Sequence, residues 1–220
     1  MRESFEKLIK ELNQEVVDMS EMVADATSRS VKALGDRNVE EAQKIIENDL
    51  LINNKRWEIE EKCINLIALQ QPVATDLREI IAVLNIITEL ERMGDYAEGI
   101  AKIAIILGGE PLIRPLIFLP EMAEKAVSML KRSMQALVNR DAKTANAICN
   151  EDDEIDKLYD AAYHDLLMRM IKDPGVISKV TPLIWASHNL ERIADRVTNI
   201  CERIIFLATG SMPQVNVSKY

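Results

Sequence analysis

Two short segments, a hundred residues apart, carry acidic side chains in the same pattern. ELERMGDYAEG contains Glu91 and Asp95, and NLERIADRVTN contains Glu191 and Asp195. In a helix, residues at i and i+4 lie on one face, one turn apart. A single pair of this kind in an acidic helical chain is ordinarily part of a solvated face, but two carboxylates so spaced can also bind a cation.

The residues upstream of each acid pair argue against a purely solvated role. Leu84 and Ile87 precede Glu91 at helical spacing, and Ile184 precedes Glu191. The acids therefore lie at the edge of a packed apolar stripe, where an unpaired charge is costly.

In the first half, the preceding helix is expected to supply partners at the same height. Asp49 and Asp95 each lie 23 residues from Pro72, which we take as the centre of the hairpin, and Asn53 and Glu91 each lie 19 residues from it. Because antiparallel helices rise equally per residue, the four side chains should meet at one level.

The second half repeats this arrangement around Pro174. Asp152 lies 22 residues before it and Asp195 lies 21 after, whereas Asp156 lies 18 before and Glu191 lies 17 after. Each half is thus predicted to place an acidic pair opposite a second pair, with one amide among the four in the first half.

Four converging oxygen-bearing side chains would repel one another. Protonation, an arginine or a bound cation could each relieve the repulsion. Arg92 and Arg192 are rotated by about 100° from the preceding glutamate, so we expect them to be imperfect partners. A metal ion is the simpler solution, and oxygen ligands suit Mg, Ca, Mn or Fe better than Zn or Cu.

The elements that must position these acids are helices. The 220 residues are 48% hydrophobic and only 4% aromatic, with 14 glycines and prolines together, and strong helix formers dominate. Apolar residues recur every three or four positions in six long stretches. We predict helices over about 5–34, 39–69, 75–107, 120–137, 141–171 and 176–209.

The six helices form an internal repeat of three plus three. ALGDRNVEEA matches ALVNRDAKTA at an offset of 103, and the acid pairs match at an offset of 100. We therefore predict an all-α fold of two tandem three-helix bundles with an elongated shape. The predicted boundaries are a first bundle over 1–109, a Pro-rich linker over 110–119, a second bundle over 120–210 and a tail over 211–220.

Charge, cysteines and hydropathy exclude several classes. A net charge of −9 disfavours a general nucleic-acid binder. Cys63, Cys149 and Cys201 are far apart in sequence with no CxxC motif, so we expect three reduced core thiols. No signal peptide is visible, and the longest apolar stretches are too short to span a bilayer. Trp57 and Trp185 are expected to be core anchors.

The chain resembles the PhoU family of phosphate-uptake regulators over essentially its whole length. The residues that carry the resemblance are QQPVATDLR (70–78), LERMGDYAEGIAK (90–102) and LERIADRVTNICE (190–202). The resemblance implies metal sites on the bundle surface, with iron first and Mn, Mg, Ca or Zn left open. The implied ligands are Asp49, Asn53, Glu91 and Asp95 in the first half and Asp152, Asp156, Glu191 and Asp195 in the second. Glu98 could compensate for Asn53, and His188 could approach the second site.

The resemblance also implies a biological role. Such proteins are cytoplasmic, often homodimeric, and not enzymes. They repress the phosphate-starvation response by linking the ATPase subunit of the phosphate ABC transporter to a sensor histidine kinase. Two alternatives stay open at this point: a carboxylate-bridged metal enzyme or iron store, which usually needs Glu-x-x-His pairs that this chain lacks, and a plain helical scaffold with solubilising acids.

Overall fold

The computed structural model describes residues 2–108 and 116–211, with side chains from residue 5 onward. Those residues form helices and turns and contain no strand, which confirms the predicted all-α class. The helices are α1 (Arg2–Asp36), α2 (Val39–Gln70), α3 (Thr75–Leu107), α4 (Phe118–Asn139), α5 (Ala142–Lys172) and α6 (Ile177–Thr209), with a 3₁₀ turn at Pro174–Val176 before α6.

The predicted helix boundaries agree with these bounds to within a few residues. The Pro-rich linker predicted at 110–119 lies outside the described residues up to 115, and its last two residues already belong to α4. The tail predicted at 211–220 lies outside them from residue 212 onward. Across 2–108 and 116–211, none of the helices combines the length and hydrophobicity needed to cross a membrane.

The repeat is visible in how α2 and α5 begin. Asn38 caps α2 by accepting a hydrogen bond from the Glu41 amide at 3.0 Å, and Asp141 caps α5 in the same way. Each cap follows an arginine with a left-handed backbone, Arg37 at φ 58° and Arg140 at φ 51°. The same turn chemistry therefore starts the second helix of each half.

The two three-helix units lie side by side and share one core. Helix α3 packs on α1 and α2, and α6 packs on α4 and α5, while α3 against α6 and α1 against α4 join the units. The buried apolar side chains form one continuous cluster across both halves. The helices pack side by side, and those of 33 residues are about 50 Å long.

The contact between α3 and α6 has pseudo-two-fold symmetry. Glu89 of α3 accepts a hydrogen bond from Asn199 of α6 at 3.2 Å. Shifting both positions by one hundred gives Asn189 and Gly99, which are also in contact: a Cβ added at Gly99 would lie 2.7 Å from the Asn189 amide nitrogen. Because exchanging the halves exchanges these two contacts, α3 and α6 are antiparallel copies about a shared axis.

A buried acid ties the first half to the second. Glu79, at the start of α3, is 3% exposed. It accepts a hydrogen bond from Asn13 of α1 at 2.9 Å and pairs with Arg140, at the turn between α4 and α5. The arginine supplies the countercharge that a buried carboxylate needs.

The expectation that both tryptophans anchor the core was wrong. Trp57 is 59% exposed and Trp185 is 60% exposed. The reason is angular: Trp57 precedes the fully buried Ile59 by two residues, which rotates it about 200° around the helix and out of the buried stripe.

Candidate metal sites

The first acidic cluster lies where α2 meets α3. Burial, followed by the charges of Glu98, Asp95 and Glu91, raises the pKa of Asp49 to about 6. The Asn53 amide donates a hydrogen bond to Asp49 Oδ2 at 2.9 Å. Asp49 Oδ1 is buried and has no hydrogen-bond partner within the described part of the chain.

Gly94 explains how α2 comes so close to α3 at this point. A Cβ at this position would lie 3.2 Å from Asp49 Oδ1 and 3.3 Å from two carbons of the Ile52 side chain. The second half carries Ala194 at the equivalent place. The space between α2 and α3 at this cluster, which we call the first groove, therefore lacks the methyl group that Ala194 places in the second groove between α5 and α6. Asp49 lies directly against the backbone of Gly94.

The second cluster lies between α5 and α6. Burial, followed by the charges of Asp195, Asp156 and Glu191, raises the pKa of Asp152 to about 7. Burial is also the largest cause of the raised pKa of the other three carboxyls. Asp152 Oδ1, like its counterpart in the first half, is buried and lacks a hydrogen-bond partner among the described residues.

Arg192 corrects one expectation about the second cluster. Its Nε and one terminal nitrogen donate to both oxygens of Glu191 at 2.6 Å, and the other terminal nitrogen lies 2.8 Å from Asp195 Oδ2. The arginine side chain is long and flexible enough to contact Glu191 although the two residues are about 100° apart around the helix. Arg92 makes only looser contacts, at 3.7 Å to Glu91 and 3.9 Å to Asp95.

His188 approaches the second cluster from one turn upstream. Its Nδ1 lies 3.7 Å from Glu191 Oε2, and its ring contacts Trp185 edge-on and Tyr159 at a tilt. Burial and the nearby Arg192 charge lower the pKa of His188. The lowered pKa favours the uncharged ring.

The structure places the eight predicted residues in two groups of four, each within electrostatic or hydrogen-bond range of Asp49 or of Asp152, as the antiparallel spacing predicts. Glu98 also joins the first group, through its charge on Asp49, and is held by Lys102 at 2.6 Å. The sequence did not predict that Arg192 would contact both Glu191 and Asp195 so closely. The role of the eight residues as metal ligands stays a prediction.

The side chains of the two clusters have the oxygen chemistry of a hard-cation site but not its spacing. Within 2–108 and 116–211, no three Asp, Glu, His or Cys side chains already stand at the spacing of a formed metal site. Yet each groove contains a buried, unpartnered carboxylate oxygen surrounded by further carboxylates. To bind a cation, the carboxylates of each groove would have to come closer together than they stand, and in the second groove a cation would compete with Arg192 for Glu191 and Asp195.

Comparison with known proteins agrees with this architecture. The chain matches the family model described as the PhoU domain twice, over residues 16–104 and 119–204. A phosphate-specific transport system accessory protein PhoU homolog from Clostridium acetobutylicum is 38% identical over 98% of this chain and 99% of its own length. One from Rhizobium meliloti is 36% identical over 96% of this chain and 90% of its own length.

Solved structures share the fold. The crystal structure of the phosphate transport system regulatory protein PhoU from Streptococcus pneumoniae superposes with a TM-score of 0.89 at 33% identity, covering 96% of this chain and all of that one. The crystal structure of PhoU from Pseudomonas aeruginosa also gives 0.89, at 32% identity over 94% of this chain and all of that one.

Proposed function

The chain belongs to the PhoU family, and from this premise we propose that it restrains phosphate uptake and the phosphate-starvation response as a metal-binding adaptor. Relatives of this length and similarity are accessory and regulatory proteins of phosphate-specific transport systems, not enzymes. A role in regulating phosphate transport follows from that likeness. We do not propose a carboxylate-bridged metal enzyme, because the chain lacks the Glu-x-x-His pairs that such sites usually need.

The metal proposal is carried by one observation, the unpartnered buried oxygens of Asp49 and Asp152. A desolvated carboxylate oxygen without a partner is costly, and a cation would remove that cost. The proposed ligands are Asp49, Asn53, Glu91 and Asp95 in the first groove and Asp152, Asp156, Glu191 and Asp195 in the second. Iron leads by family likeness, with Mn, Mg, Ca and Zn as the alternatives.

A bound cation would hold two neighbouring helices together through their carboxylates. The carboxylates of α2 and α3, or of α5 and α6, would no longer repel one another, and each outer helix would be held to its inner neighbour. This matters for an adaptor because the helix pair that the cation joins carries surface that partners can reach. Ile171 at the end of α5 is 64% exposed, and Ile177 and Trp185 in the first part of α6 are 48% and 60% exposed, so apolar contact area lies near the α5–α6 turn.

The proposed partners are the ATPase subunit of the phosphate ABC transporter and a phosphate-sensing histidine kinase, and the proposed setting is the cytoplasm, with a homodimer as the working unit. The family likeness supports these assignments. The net charge of −9 favours partners with basic surfaces.

Metal analysis tests the sites. We expect the purified chain to contain metal, and Glu191→Ala with Asp195→Ala to lower the content of the second groove. A control variant, Glu47→Ala with Glu61→Ala, removes the same charge from exposed positions outside both clusters. Equal metal content in all three proteins would contradict the ligand assignment.

Deletion of the gene tests the regulation. In ample phosphate, we expect a reporter from a phosphate-starvation promoter to rise in the deletion strain and to fall again when the wild-type chain is restored. A pull-down from the same cells should recover the transporter ATPase or the kinase. An unchanged reporter would contradict the repressor role, independently of the metal result.

A further inference from the structure

The second groove already contains a positive charge that belongs to the protein. The Arg192 guanidinium donates to both carboxylate oxygens of Glu191 at 2.6 Å and lies 2.8 Å from Asp195 Oδ2. Such a planar fork matches a carboxylate with two parallel, charge-assisted hydrogen bonds. The guanidinium thus occupies oxygens of two of the four proposed ligands.

The equivalent arginine of the first half stays away from its acids. Arg92 lies 3.7 Å from Glu91 and 3.9 Å from Asp95, and its side chain is 60% exposed, whereas that of Arg192 is 36% exposed. Both arginines follow a Leu-Glu pair in the same sequence motif. The motif therefore does not by itself explain why only the second arginine binds its acids closely.

Charge and burial supply the explanation. The second groove has one more carboxylate than the first, because Asp156 stands where the first half has Asn53. A guanidinium cancels that additional negative charge. The Glu191 side chain is also only 7% exposed, against 22% for Glu91, so its carboxylate has less water to stabilise it and a greater need for a partner.

We propose that Arg192 is a resident countercharge that a cation must displace, so that the second groove fills only at a higher cation concentration than the first. This inference rests on the proposed function, because it assumes that both grooves bind cations. It reverses the order that the ligand count alone would give, since the groove with four carboxylates is the one that its own arginine closes.

The exchange also discriminates between cations by charge. A singly charged ion brings no more charge than the guanidinium it displaces and cannot reproduce its paired hydrogen bonds, whereas a divalent or trivalent ion brings more. The Arg192 side chain is partly exposed, so solvent can take up the released guanidinium. Cation loading would then join α2 to α3 first and α5 to α6 only at a higher concentration.

The first test is a titration of the chelator-stripped, full-length protein with Mn²⁺, with the free ion followed by electron paramagnetic resonance. We expect two steps in the wild type, the weaker of which is absent in Glu191→Ala with Asp195→Ala. Arg192→Gln should tighten that step by about tenfold or more, because no charge-assisted hydrogen bonds have to be broken. The matched control, Arg92→Gln, should tighten the first step by less than about threefold.

The second test uses the wild type alone and detects release of the arginine. Phenylglyoxal modifies accessible guanidinium groups, and peptide mapping identifies which ones have reacted. In the metal-free protein we expect Arg92 to react and Arg192 to be protected, and saturating Mn²⁺ should make Arg192 reactive. Arg196, which pairs with Glu89 instead of the groove acids, is the internal reference and should not change.

The outcomes separate this inference from the proposed function. If Mn²⁺ binds, the inference alone is overturned by any of three results: the second groove fills before or together with the first, Arg192→Gln tightens its groove no more than Arg92→Gln tightens the other, or Arg192 stays protected when both grooves are full. If neither the wild type nor any variant binds Mn²⁺, the metal sites of the proposed function fail, and this inference fails with them.

Discussion

The carboxyl group of Asp152 offers a stability measurement that probes the second groove without metal. Its pKa is about 7 in the folded chain against an ordinary value of 3.8. Because the folded state binds this proton more tightly than the unfolded state, the free energy of unfolding falls as the pH rises from about 4 to about 7. Above both values, the ionised group costs up to about 4 kcal/mol.

Asp152 is only partly buried, so solvent screens part of this cost. We expect Asp152→Asn to raise the free energy of unfolding of the metal-free chain by about 1–2 kcal/mol at pH 8. At pH 4.5, where the folded carboxyl is protonated but the unfolded one is already largely ionised, we expect a smaller difference of about 1 kcal/mol or less.

The measurement is urea unfolding followed by far-ultraviolet circular dichroism, in a chelator, at steps between pH 4.5 and 8. The control is Asp153→Asn, which removes the same charge from the next, exposed position on α5. The reasoning is refuted if the variant loses stability with rising pH as steeply as the wild type does. It is also refuted if the control flattens the profile equally.

Three further substitutions test the packing around the sites. Gly94→Val should destabilise the chain by about 1–3 kcal/mol in urea unfolding, because its side chain would collide with α2 beside Asp49; a neutral result would contradict the close approach. Glu79→Ala should cost about 2–3 kcal/mol, since it removes the acceptor shared by Arg140 and the partly buried amide of Asn13. Arg196→Ala should cost about 1–2 kcal/mol because it removes the ion pair with Glu89 of α3 at 3.2 Å and the contact with the Tyr96 ring. For the Glu79 and Arg196 variants, an unchanged urea midpoint would refute the expected contribution.

The helices and the two acid groups could be predicted because both depend on local periodicity. A buried stripe every three or four residues fixes each helix, and equal rise per residue fixes which positions of an antiparallel pair share a height. Asp49 with Asp95, and Asp152 with Asp195, were matched by counting from the turn alone.

Contacts that depend on helix rotation or on flexible side chains could not be predicted this way. The Arg192 guanidinium bends back onto Glu191, which the angle between Cα atoms does not anticipate. The pairing of α3 with α6 rests on small and polar residues such as Gly99 and Asn189, whose apolar signal is weak. Trp57 was predicted to be buried because its side chain is large and aromatic, but its position around α2 directs it away from the core.

The pseudo-two-fold contact between α3 and α6 has a consequence for any attempt to cut the chain in two. A fragment ending after α3 would expose the strip of that helix that now faces α6, including Glu89, Tyr96 and Gly99. Because the surface it lost resembles its own, the fragment would tend to form a two-fold symmetric dimer through this strip rather than persist as a monomer. The covalent chain thus resembles a fused pair of subunits, and the fusion lets the two grooves carry different residues, such as Asn53 in the first and Asp156 in the second.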